Sequence, residues 1–392
     1  MKKITALVLT LCMCLFMFAG CGGSNDTASS SSESSASAET TSTEKTVTDI
    51  SGREVTIPAE VDSIVNLWPA YTSSFYVIGA GDLLKAQAQQ SNVNAWTEFF
   101  YPGAADVPGM GGTTPNVEEI AKLDPDLVIV HPTSIASGYA DQLDELGIPA
   151  LDLNFDSYEG MIDSYTILGE ALGGEYQEKL DKLCADVQEK LDRNREWTAD
   201  IADEDKPVVY YIAGQQNSLT TTMLGEDTMQ EDWTVSNGGT YAPAAMTAAG
   251  ENGMEVTAEE VFAQNPDVIM VGGTYQHDLI EQLQTLDGWK DLDAVKNGRV
   301  YNIPYGCFNW ERFGIESDLM IDYALYCIQP DIAEEHGIDH DFIVQEVIDF
   351  YKTYNGKELT TEQAENMLNG LTPDGQNEAE LQASQGQGGG QQ

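Results

Sequence analysis

One fifteen-residue phrase occurs twice in this chain. Residues 116–130 read NVEEIAKLDPDLVIV, residues 257–271 read TAEEVFAQNPDVIMV, and an ungapped overlay gives five identities. The two copies start 141 residues apart, whereas solenoid proteins repeat with periods of about 20 to 50 residues. Two copies this far apart therefore predict two similar half-proteins.

Each copy predicts a helix followed by a short buried strand. The endings PDLVIV and PDVIMV are apolar after the Pro-Asp pair, which is typical of parallel strands covered on both faces. Further strands are predicted at SIVNLW (63–68), IPALDL (148–153), PVVYYIAG (207–214) and RVYNIP (299–304). The expected fold class is α/β, with two Rossmann-like lobes.

A helical pattern covers about residues 157–195, between the two halves, with apolar residues at i, i+3 and i+4 spacing. Gly173-Gly174 interrupts this pattern, so we expect a helix, a break and a longer helix. A stiff connection favours small tilts of one lobe against the other, with a ligand cleft between the lobes. Ahead of the first lobe, TVTDISGREVTIP predicts a hairpin around Ser51-Gly52.

The first twenty residues read as an export signal, because Lys2 and Lys3 precede an apolar run too short for a membrane span. The run ends at FAGC, and Cys21 followed by two glycines resembles a bacterial lipobox. We therefore expect a lipidated Cys21 that anchors the protein to the outer face of the cytoplasmic membrane; an ordinary signal peptide with a chance cysteine is the alternative. Residues 24–46 lack aromatic and large aliphatic side chains, as expected for a flexible tether.

The formal net charge of −47 excludes nucleic acid as a natural partner, because phosphate would be repelled. It also argues against binding to anionic lipid without a covalent anchor. Beyond the signal and Cys21, the cysteines are Cys184, Cys307 and Cys327, with no CxxC pair, so neither a zinc site nor a disulfide framework is indicated. A bridge between Cys307 and Cys327 stays open, since the exported side permits disulfides.

The paired glutamates of the repeat, 118–119 and 259–260, fall at the start of each predicted helix. Asn116 and Thr257 are good N-cap residues, and the second glutamate of each pair can reach back to the cap amide. The first glutamate of each pair is then expected to point into solvent. A general preference for acids at helix N-termini, about 0.3–1 kcal/mol, is the plainer explanation for either glutamate alone.

The order of these segments resembles one family. The lipobox, the Ser-rich tether, TDISGREVTIP, the first copy of the repeat, the long inter-lobe helix and NIPYGCFNWERFG resemble the substrate-binding proteins of ABC importers. The similarity covers about residues 46–355, and it is to the type with a rigid helical backbone that serves iron–siderophore, haem and cobalamin uptake. It implies two lobes joined by a single long rigid helix, with an ABC permease and its ATPase as partners. In that family one glutamate on each lobe docks onto permease arginines, and the matching positions are Glu118 and Glu259.

Ligands of open α/β sheets bind outside the carboxyl ends of the strands, so the loops that leave the predicted strands are candidates. Large aromatic side chains at such loops favour a flat or apolar ligand. For each of them, packing in the core is the alternative. The candidate ligand-binding residues are Trp68, Tyr71, Trp96, His131, Trp233, Tyr275, Phe308, Trp310 and Arg312. Since Arg312 is the only arginine in these loops, a hydroxamate siderophore, a corrinoid or a macrocycle is favoured over a tris-catecholate, which needs a cluster of cations.

Haem would take one arginine and an axial ligand, for which His131, His277, Tyr71 and Tyr275 are the candidates. His131 ends the strand DLVIV, where the cleft is expected to open. Pro132 follows it, which equally fits a residue that positions the loop.

Other classes fit less well. A direct receptor for zinc or manganese needs three or four close His, Asp or Glu ligands. The chain has four histidines, and two of them, His336 and His340, lie in the C-terminal extension. The sequence contains no GxSxG elbow, GxGxxG after a strand, Walker loop or HExxH, so we expect neither an enzyme nor a resident cofactor or metal. The predicted function is extracytoplasmic capture of an iron–siderophore-type chelate by a monomer; a haem or corrinoid receptor is the alternative.

The predicted organisation has seven segments. They are a signal peptide (1–20), a lipidated cysteine with its tether (21–46), an N-terminal α/β lobe (47–155), an inter-lobe helix (156–200), a C-terminal α/β lobe (206–330), a C-terminal helical extension (331–372) and a disordered tail (373–392). Two helices are predicted in the extension, at residues 340–354 and 360–370. We expect both to pack against the C-terminal lobe.

Overall fold

The structure, a computed structural model, describes residues 43–89, 93–249 and 253–384. The predicted signal peptide, Cys21 and nearly all of the tether lie outside these residues. Within the three described ranges, no helix combines the length and the apolar character needed to cross a membrane.

The described residues contain ten strands and sixteen α-helices. The strands are β1 Glu44–Thr48, β2 Glu54–Pro58, β3 Ile64–Asn66, β4 Leu84–Gln87, β5 Leu127–Val130, β6 Ala150–Asp152, β7 Val208–Ile212, β8 Thr240–Tyr241, β9 Val268–Val271 and β10 Val300–Asn302. The helices are α1 Pro69–Val77, α2 Ala95–Phe100, α3 Val117–Leu123, α4 Pro132–Ala136, α5 Tyr139–Glu145, α6 Tyr158–Leu172, α7 Gly174–Thr198, α8 Met229–Ser236, α9 Ala258–Gln264, α10 Gln276–Thr285, α11 Asp293–Lys296, α12 Ser317–Ile328, α13 Pro330–Glu335, α14 His340–Tyr354, α15 Thr361–Leu368 and α16 Glu378–Ser384.

Each half of the chain builds its own parallel sheet of four strands. The first sheet has the order β4-β3-β5-β6 and the second has the order β10-β9-β7-β8. Strands β3 to β6 thus take the same places as β7 to β10, and the two lobes share one topology. Strands β5 and β9 are buried at every residue, as their all-apolar sequences predicted. The prediction of two Rossmann-like lobes is confirmed, with the two copies of the repeat in separate sheets.

The hairpin predicted around Ser51-Gly52 is present as β1 and β2, paired antiparallel. Gly52 has a φ of +79°, a conformation that glycine adopts without a steric penalty. Arg53 Nε donates to the Asp49 carboxylate at 2.9 Å, and its guanidinium also donates to Ala150 O at 2.7 Å. The hairpin is therefore attached to the first lobe at β6.

The helix, break and longer helix predicted between the lobes are α6 and α7, but the two helices do not run end to end. Gly173, with a φ of +71°, separates them, and α6 folds back along α7, where Cys184 Sγ donates to Ile162 O at 3.4 Å. The inter-lobe segment predicted for residues 156–200 is therefore a pair of packed helices. Helix α6 contacts both lobes as well, since the Tyr165 hydroxyl lies 2.6 Å from Ser74 Oγ of the first lobe and the Tyr158 hydroxyl donates to Ser317 O of the second at 3.0 Å. At 1.5 Å per residue, α7 is about 37 Å long.

Helix α7 is attached to both lobes. Near its start, Lys179 Nζ donates to Ile78 O of the first lobe at 2.6 Å. Farther along, Lys190 Nζ lies 2.8 Å from the Asp318 carboxylate on α12 of the second lobe. These contacts make α7 a rigid connection rather than a flexible linker.

The C-terminal extension forms the two predicted helices, α14 and α15, but it contacts both lobes. On the side of the second lobe, Asn302 Nδ2 donates to Leu368 O at 2.7 Å. On the side of the first lobe, Trp96 Nε1 donates to Leu371 O at 2.8 Å, and the ring of Phe100 stacks on a tyrosine of α14. The prediction of packing against the C-terminal lobe was incomplete, because α2 turns its tryptophan and phenylalanine toward the extension.

The tail predicted to be disordered from residue 373 instead keeps regular structure as far as Ser384, the end of α16. Thr372 N–H donates to Gln376 O at 2.9 Å, closing a turn in which Gly375 has a φ of +78°. The predicted start of the tail at residue 373 was too early, because the Ser/Gln/Gly composition on which it rested is confined to the last residues. Residues 385–392 lie outside the described ranges.

The three cysteines of the described residues are free, which answers the question left open by the sequence. Cys307 and Cys327 are buried and unbridged. Burial raises the pKa of both thiols well above its usual value. They therefore pack as small apolar side chains.

Candidate functional site

Side chains that follow the strands of both sheets meet in one group, the inter-lobe aromatic cluster: Trp68, Tyr71, His131, Phe155 and Phe313. Trp68 follows β3 and Phe155 follows β6, and their ring centroids lie 6.1 and 6.0 Å from that of Phe313, which follows β10 in the other lobe. Tyr71 lies 5.0 Å and His131 lies 6.3 Å from Trp68. The carboxyl ends of the two sheets thus converge on apolar rings, as expected for the ligand cleft of such a fold.

The position of Trp68 is set by the end of β3. Asn66 Nδ2 donates to Trp68 O at 2.8 Å, and Trp68 N–H donates to Asn66 Oδ1 at 3.2 Å. Pro69 then opens α1, where a missing N–H costs nothing. One turn on, Tyr71 is buried and its hydroxyl donates to Leu153 O at 3.1 Å; burial raises its pKa. Tyr71 therefore lies on the side of the cluster that faces the core of the first lobe.

His131 caps α4. Its Nδ1 accepts a hydrogen bond from Thr133 N–H at 3.2 Å and lies 2.9 Å from Thr133 Oγ1, and burial lowers its pKa. These contacts with the first turn of α4 support the loop-positioning role for His131.

Arg312 precedes Phe313 of the cluster, and its guanidinium pairs with Ala213 O and Glu311 of the second lobe. Its guanidinium donates to Ala213 O at 3.1 Å, and its Nε lies 3.5 Å from Oε1 of Glu311. Glu311 is fully buried, and the same Oε1 accepts hydrogen bonds from Tyr211 Oη and Asn309 Nδ2, both at 3.1 Å. The Arg312 side chain remains 36 % exposed. The site thus offers one accessible cation whose charge a buried carboxylate balances.

The structure places three predicted ligand-binding tryptophans in the core. Trp96 is 1 % exposed, and Trp233 and Trp310 are fully buried. Trp233 packs against Tyr211, and Trp310 packs against Tyr323. Their ring contacts lie outside the inter-lobe aromatic cluster, which fits the core-packing alternative. Trp68, Tyr71 and Phe155 of the cluster are 5 %, 0 % and 2 % exposed, so burial does not separate the two groups, and ligand contact by the three tryptophans stays a prediction.

Two further candidates are partly exposed, and two cluster residues were missed. Tyr275 precedes α10 and packs against a core of the second lobe, while Phe308 lies on the loop after β10 against Gly314. Sequence reasoning did not single out Phe155 or Phe313. Phe155 could have been found, because it lies two residues beyond the predicted strand IPALDL and obeys the same rule as Trp68.

The caps of the two repeated helices differ. In the second copy, Thr257 and Glu260 form the predicted capping box. In the first copy, Asn116 accepts from Glu118 N–H at 2.8 Å, and the box predicted with Glu119 is not formed. Asn116 thus bonds the second amide of its helix, whereas Thr257 bonds the third; both are ordinary N-cap hydrogen bonds.

Glu118 and Glu259 occupy the second position of α3 and α9, and both side chains are exposed. Because α3 precedes β5 and α9 precedes β9, the two carboxylates lie at equivalent positions of the two lobes. The pattern fits the role that the family resemblance implies for them.

A groove of about 530 Å³ lies between α7 and α8. Its lining includes Glu159, Asp232, Arg195 and Val235, and Arg195 pairs with Asp232 at 3.3 Å. Acidic and polar side chains dominate this groove, so it lacks the ring surface of the inter-lobe aromatic cluster. Among the described residues, no three His, Cys, Asp or Glu side chains are grouped so as to hold a metal ion.

Two parallel-sheet lobes that meet at such a cluster define a two-lobed binding protein. Residues 64–305 match the periplasmic binding protein family. The chain belongs to this family and is an extracytoplasmic substrate-binding protein.

Two curated relatives are informative. The chain is 31 % identical over 265 residues to YvrC of Bacillus subtilis, an uncharacterized ABC transporter substrate-binding lipoprotein, spanning 66 % of this chain and 77 % of YvrC. It is 28 % identical over 214 residues to the Fe(3+)-citrate-binding protein YfmC of the same species, spanning 52 % of this chain and 61 % of YfmC. Both names describe binding proteins, and that of YvrC assigns it to an ABC transporter.

Solved structures show the same fold. A periplasmic solute binding protein from Veillonella parvula superposes with a TM-score of 0.69 at 23 % identity, over 84 % of this chain and 98 % of the other. MolA of Haemophilus influenzae, solved with molybdate bound, gives a TM-score of 0.66 at 18 % identity, over 81 % and 99 % of the two chains. At these identities the similarity establishes the fold alone.

Proposed function

We propose that this chain is the substrate-binding component of an ABC importer, and that it captures an iron–siderophore-type metal chelate between its lobes. The observation that carries this proposal is the inter-lobe aromatic cluster beside the paired Arg312. Apolar rings from two lobes with one partly exposed cation suit a bulky chelate of low net charge. Relatives named for Fe(3+)-citrate and for iron(3+)-hydroxamate binding support this ligand class.

A corrinoid is the second candidate. A relative 23 % identical over 248 residues, from Halobacterium salinarum, is named a cobalamin-binding protein. A corrinoid brings its own metal and a broad apolar body, so it needs rings rather than an axial side chain.

Membrane attachment and docking complete the proposal. Cys21, which lies outside the described residues, would carry the lipid anchor, and the chain would act as a monomer. Glu118 and Glu259, both exposed, would offer one carboxylate per lobe to the permease of the importer, whose ATPase then drives uptake of the unchanged chelate.

The first experiment is a thermal unfolding series with ferrioxamine B, ferric citrate, cyanocobalamin, haemin and molybdate. A ligand at about a hundred times its Kd stabilises the folded state by about 2.7 kcal/mol, which raises the Tm by several degrees. We expect a rise with a ferric chelate, and recovery of that chelate unchanged after incubation. Stabilisation by molybdate alone, or chemical conversion of the chelate, would contradict the proposal.

Phe313→Ala tests the cluster itself. Loss of a ring that contacts Trp68 and Phe155 is expected to raise the Kd for the stabilising chelate about tenfold or more. Phe342→Ala is the matched control, since that ring is 37 % exposed on α14. Equal affinities in the two variants would place the ligand elsewhere.

A further inference from the structure

The loop of residues 306–313, between β10 and α12, carries Arg312 and Phe313 to the cleft, and one buried carboxylate holds its first turn. Glu316 is fully buried. Its Oε1 accepts from Cys307 N–H and its Oε2 accepts from Phe308 N–H, both at 2.7 Å. Two consecutive backbone amides are thus fixed by one side chain at the N-terminus of α12.

Glu316 is itself held by the C-terminal extension. The hydroxyl of Tyr351, on α14, donates to Glu316 Oε1. The Tyr351 ring stacks on Phe100 of the first lobe, with centroids 4.1 Å apart and planes inclined by 12°. The position of this phenol therefore depends on both the extension and the first lobe.

The first lobe also holds the loop directly. Asn94 Nδ2 donates to Gly306 O at 2.9 Å and to Cys307 O at 3.2 Å. Any Cβ at Gly306 would lie 1.9 Å from Glu316 Oε1, so this close approach requires glycine. At the other end of the loop, Ser317 Oγ donates to Arg312 O.

We propose that Glu316, held by Tyr351, is a positioning residue for the ligand: it fixes the loop that brings Arg312 and Phe313 to the inter-lobe aromatic cluster. A buried carboxylate is costly unless hydrogen bonds compensate it, and here the compensating donors are loop amides and the phenol. The inference rests on the proposed function for the identity of the ligand. The order of the loop can be measured without any ligand.

The test compares Glu316→Gln with Glu98→Gln by hydrogen–deuterium exchange of the full chain. A glutamine has one acceptor oxygen, so one of the two loop amides must lose its partner. Glu98 is a matched control, because its carboxylate also holds two backbone amides, Gly103 N–H at 3.2 Å and Ala105 N–H at 2.7 Å, in another loop. We expect exchange in residues 305–313 to accelerate about tenfold or more in Glu316→Gln, and to stay at the wild-type rate in Glu98→Gln.

Tyr351→Phe and Tyr354→Phe form a second, milder pair on the same helix. The Tyr354 hydroxyl donates to the Asp186 carboxylate on α7 at 3.0 Å, so its loss leaves the loop untouched. We expect faster exchange in residues 305–313 for Tyr351→Phe and not for Tyr354→Phe. This pair keeps the test decisive if Glu316→Gln does not fold.

Binding of ferrioxamine B links loop order to function. We expect the Kd for this ferric hydroxamate to rise about tenfold in Glu316→Gln and Tyr351→Phe, and less than about twofold in the two controls. Wild-type exchange rates in residues 305–313 of both test variants would overturn the inference, as would faster exchange with unchanged affinity. If neither ferrioxamine B nor ferric citrate binds the wild type, the ligand assignment fails, and the exchange rates alone decide whether Glu316 holds the loop; if only ferric citrate binds, the same affinity comparison is made with ferric citrate.

Discussion

Glu316 combines a structural role with an unusually high pKa for a carboxylic acid. Burial raises its pKa to about 7, although hydrogen bonds from Tyr351 and from the amides of Cys307 and Phe308 lower it. The buried thiol of Cys307 and the phenols of Tyr351, Tyr305 and Tyr165 are the titratable groups that interact with it. Glu316 therefore changes charge near neutral pH.

The expected consequence is a component of stability that depends on pH. Because the folded state binds this proton more tightly than the unfolded chain, whose glutamates have a pKa near 4.5, the stabilisation is complete below that value and is lost as pH rises toward about 7. A shift of this size corresponds to about 3 kcal/mol in the free energy of unfolding. Glu316→Gln should remove this component. Urea unfolding of both proteins at pH 5 and pH 8 checks it, and equal pH dependence in the two would contradict it.

The repeated Pro-Asp pair also has a residue-level explanation. Asp126 Oδ2 accepts from Ser63 Oγ at 2.9 Å, and Asp267 Oδ2 accepts from Val208 N–H at 2.8 Å. Each aspartate thus ties its own strand, β5 or β9, to the start of the neighbouring strand, β3 or β7. Part of the repeated phrase therefore serves the fold and not the partner.

At the scale of the element, the first turns of α3 and α9 contain the repeated glutamates Glu118 and Glu259. We predict that Glu118→Lys combined with Glu259→Lys abolishes transport, because two lysines would then repel the arginines that the proposed docking places on the permease. Affinity for the chelate should be unchanged, since neither residue belongs to the inter-lobe aromatic cluster. Uptake of radioactive iron by cells and calorimetric binding of the purified protein provide the two measurements.

Glu119→Lys is the control for that prediction. Glu119 is exposed on the same turn of α3 as Glu118, so the substitution makes the charge change of Glu118→Lys, half that of the double variant, one position away. Transport that fails equally in this variant would indicate a general effect of charge. Lost chelate affinity in the double variant would refute the docking assignment.

Elements with strong patterns were predictable, and short or returning ones were not. The all-apolar β5 and β9 were found, whereas β8 has two residues, Thr240–Tyr241, too few to show a period. The Gly173-Gly174 break marks an interruption but not a direction, so the return of α6 along α7 depends on packing. The cluster joins Trp68 to Phe313 across lobes, a contact between distant loops that no local pattern encodes.

At the scale of the whole molecule, the extension links the lobes a second time. Asn355 Nδ2 donates to Tyr76 O at 3.1 Å. Lys357 donates to Phe99 O, and its Nζ lies 3.8 Å from the centroid of the Phe99 ring. These contacts connect the lobes in addition to the helices between them and the direct bonds from Asn94 to the loop before α12.

We predict that Asn355→Ala combined with Lys357→Ala lowers the free energy of unfolding by about 1–3 kcal/mol, because two backbone carbonyls each lose a side-chain donor. Calorimetry should also show a broader transition as the lobes become less coupled. Lys352→Ala, which removes an exposed pair with Glu358, is the control and should change stability by less than about 0.5 kcal/mol. A sharp, unshifted transition in the double variant would show that the two lobes stay coupled without these contacts of the extension.

Asn94 belongs to the first lobe, yet it holds carbonyls of the turn at Gly306 and Cys307. When the lobes rotate, that turn must either break both bonds or travel with the opposite half of the protein. Cys307 is held from both sides, because its N–H donates to Glu316 at the start of α12 while its carbonyl accepts from Asn94 of the first lobe. Any rotation of the lobes must therefore break hydrogen bonds on one side of this turn, which lies inside the second half of the chain and not at the boundary between the two sheets.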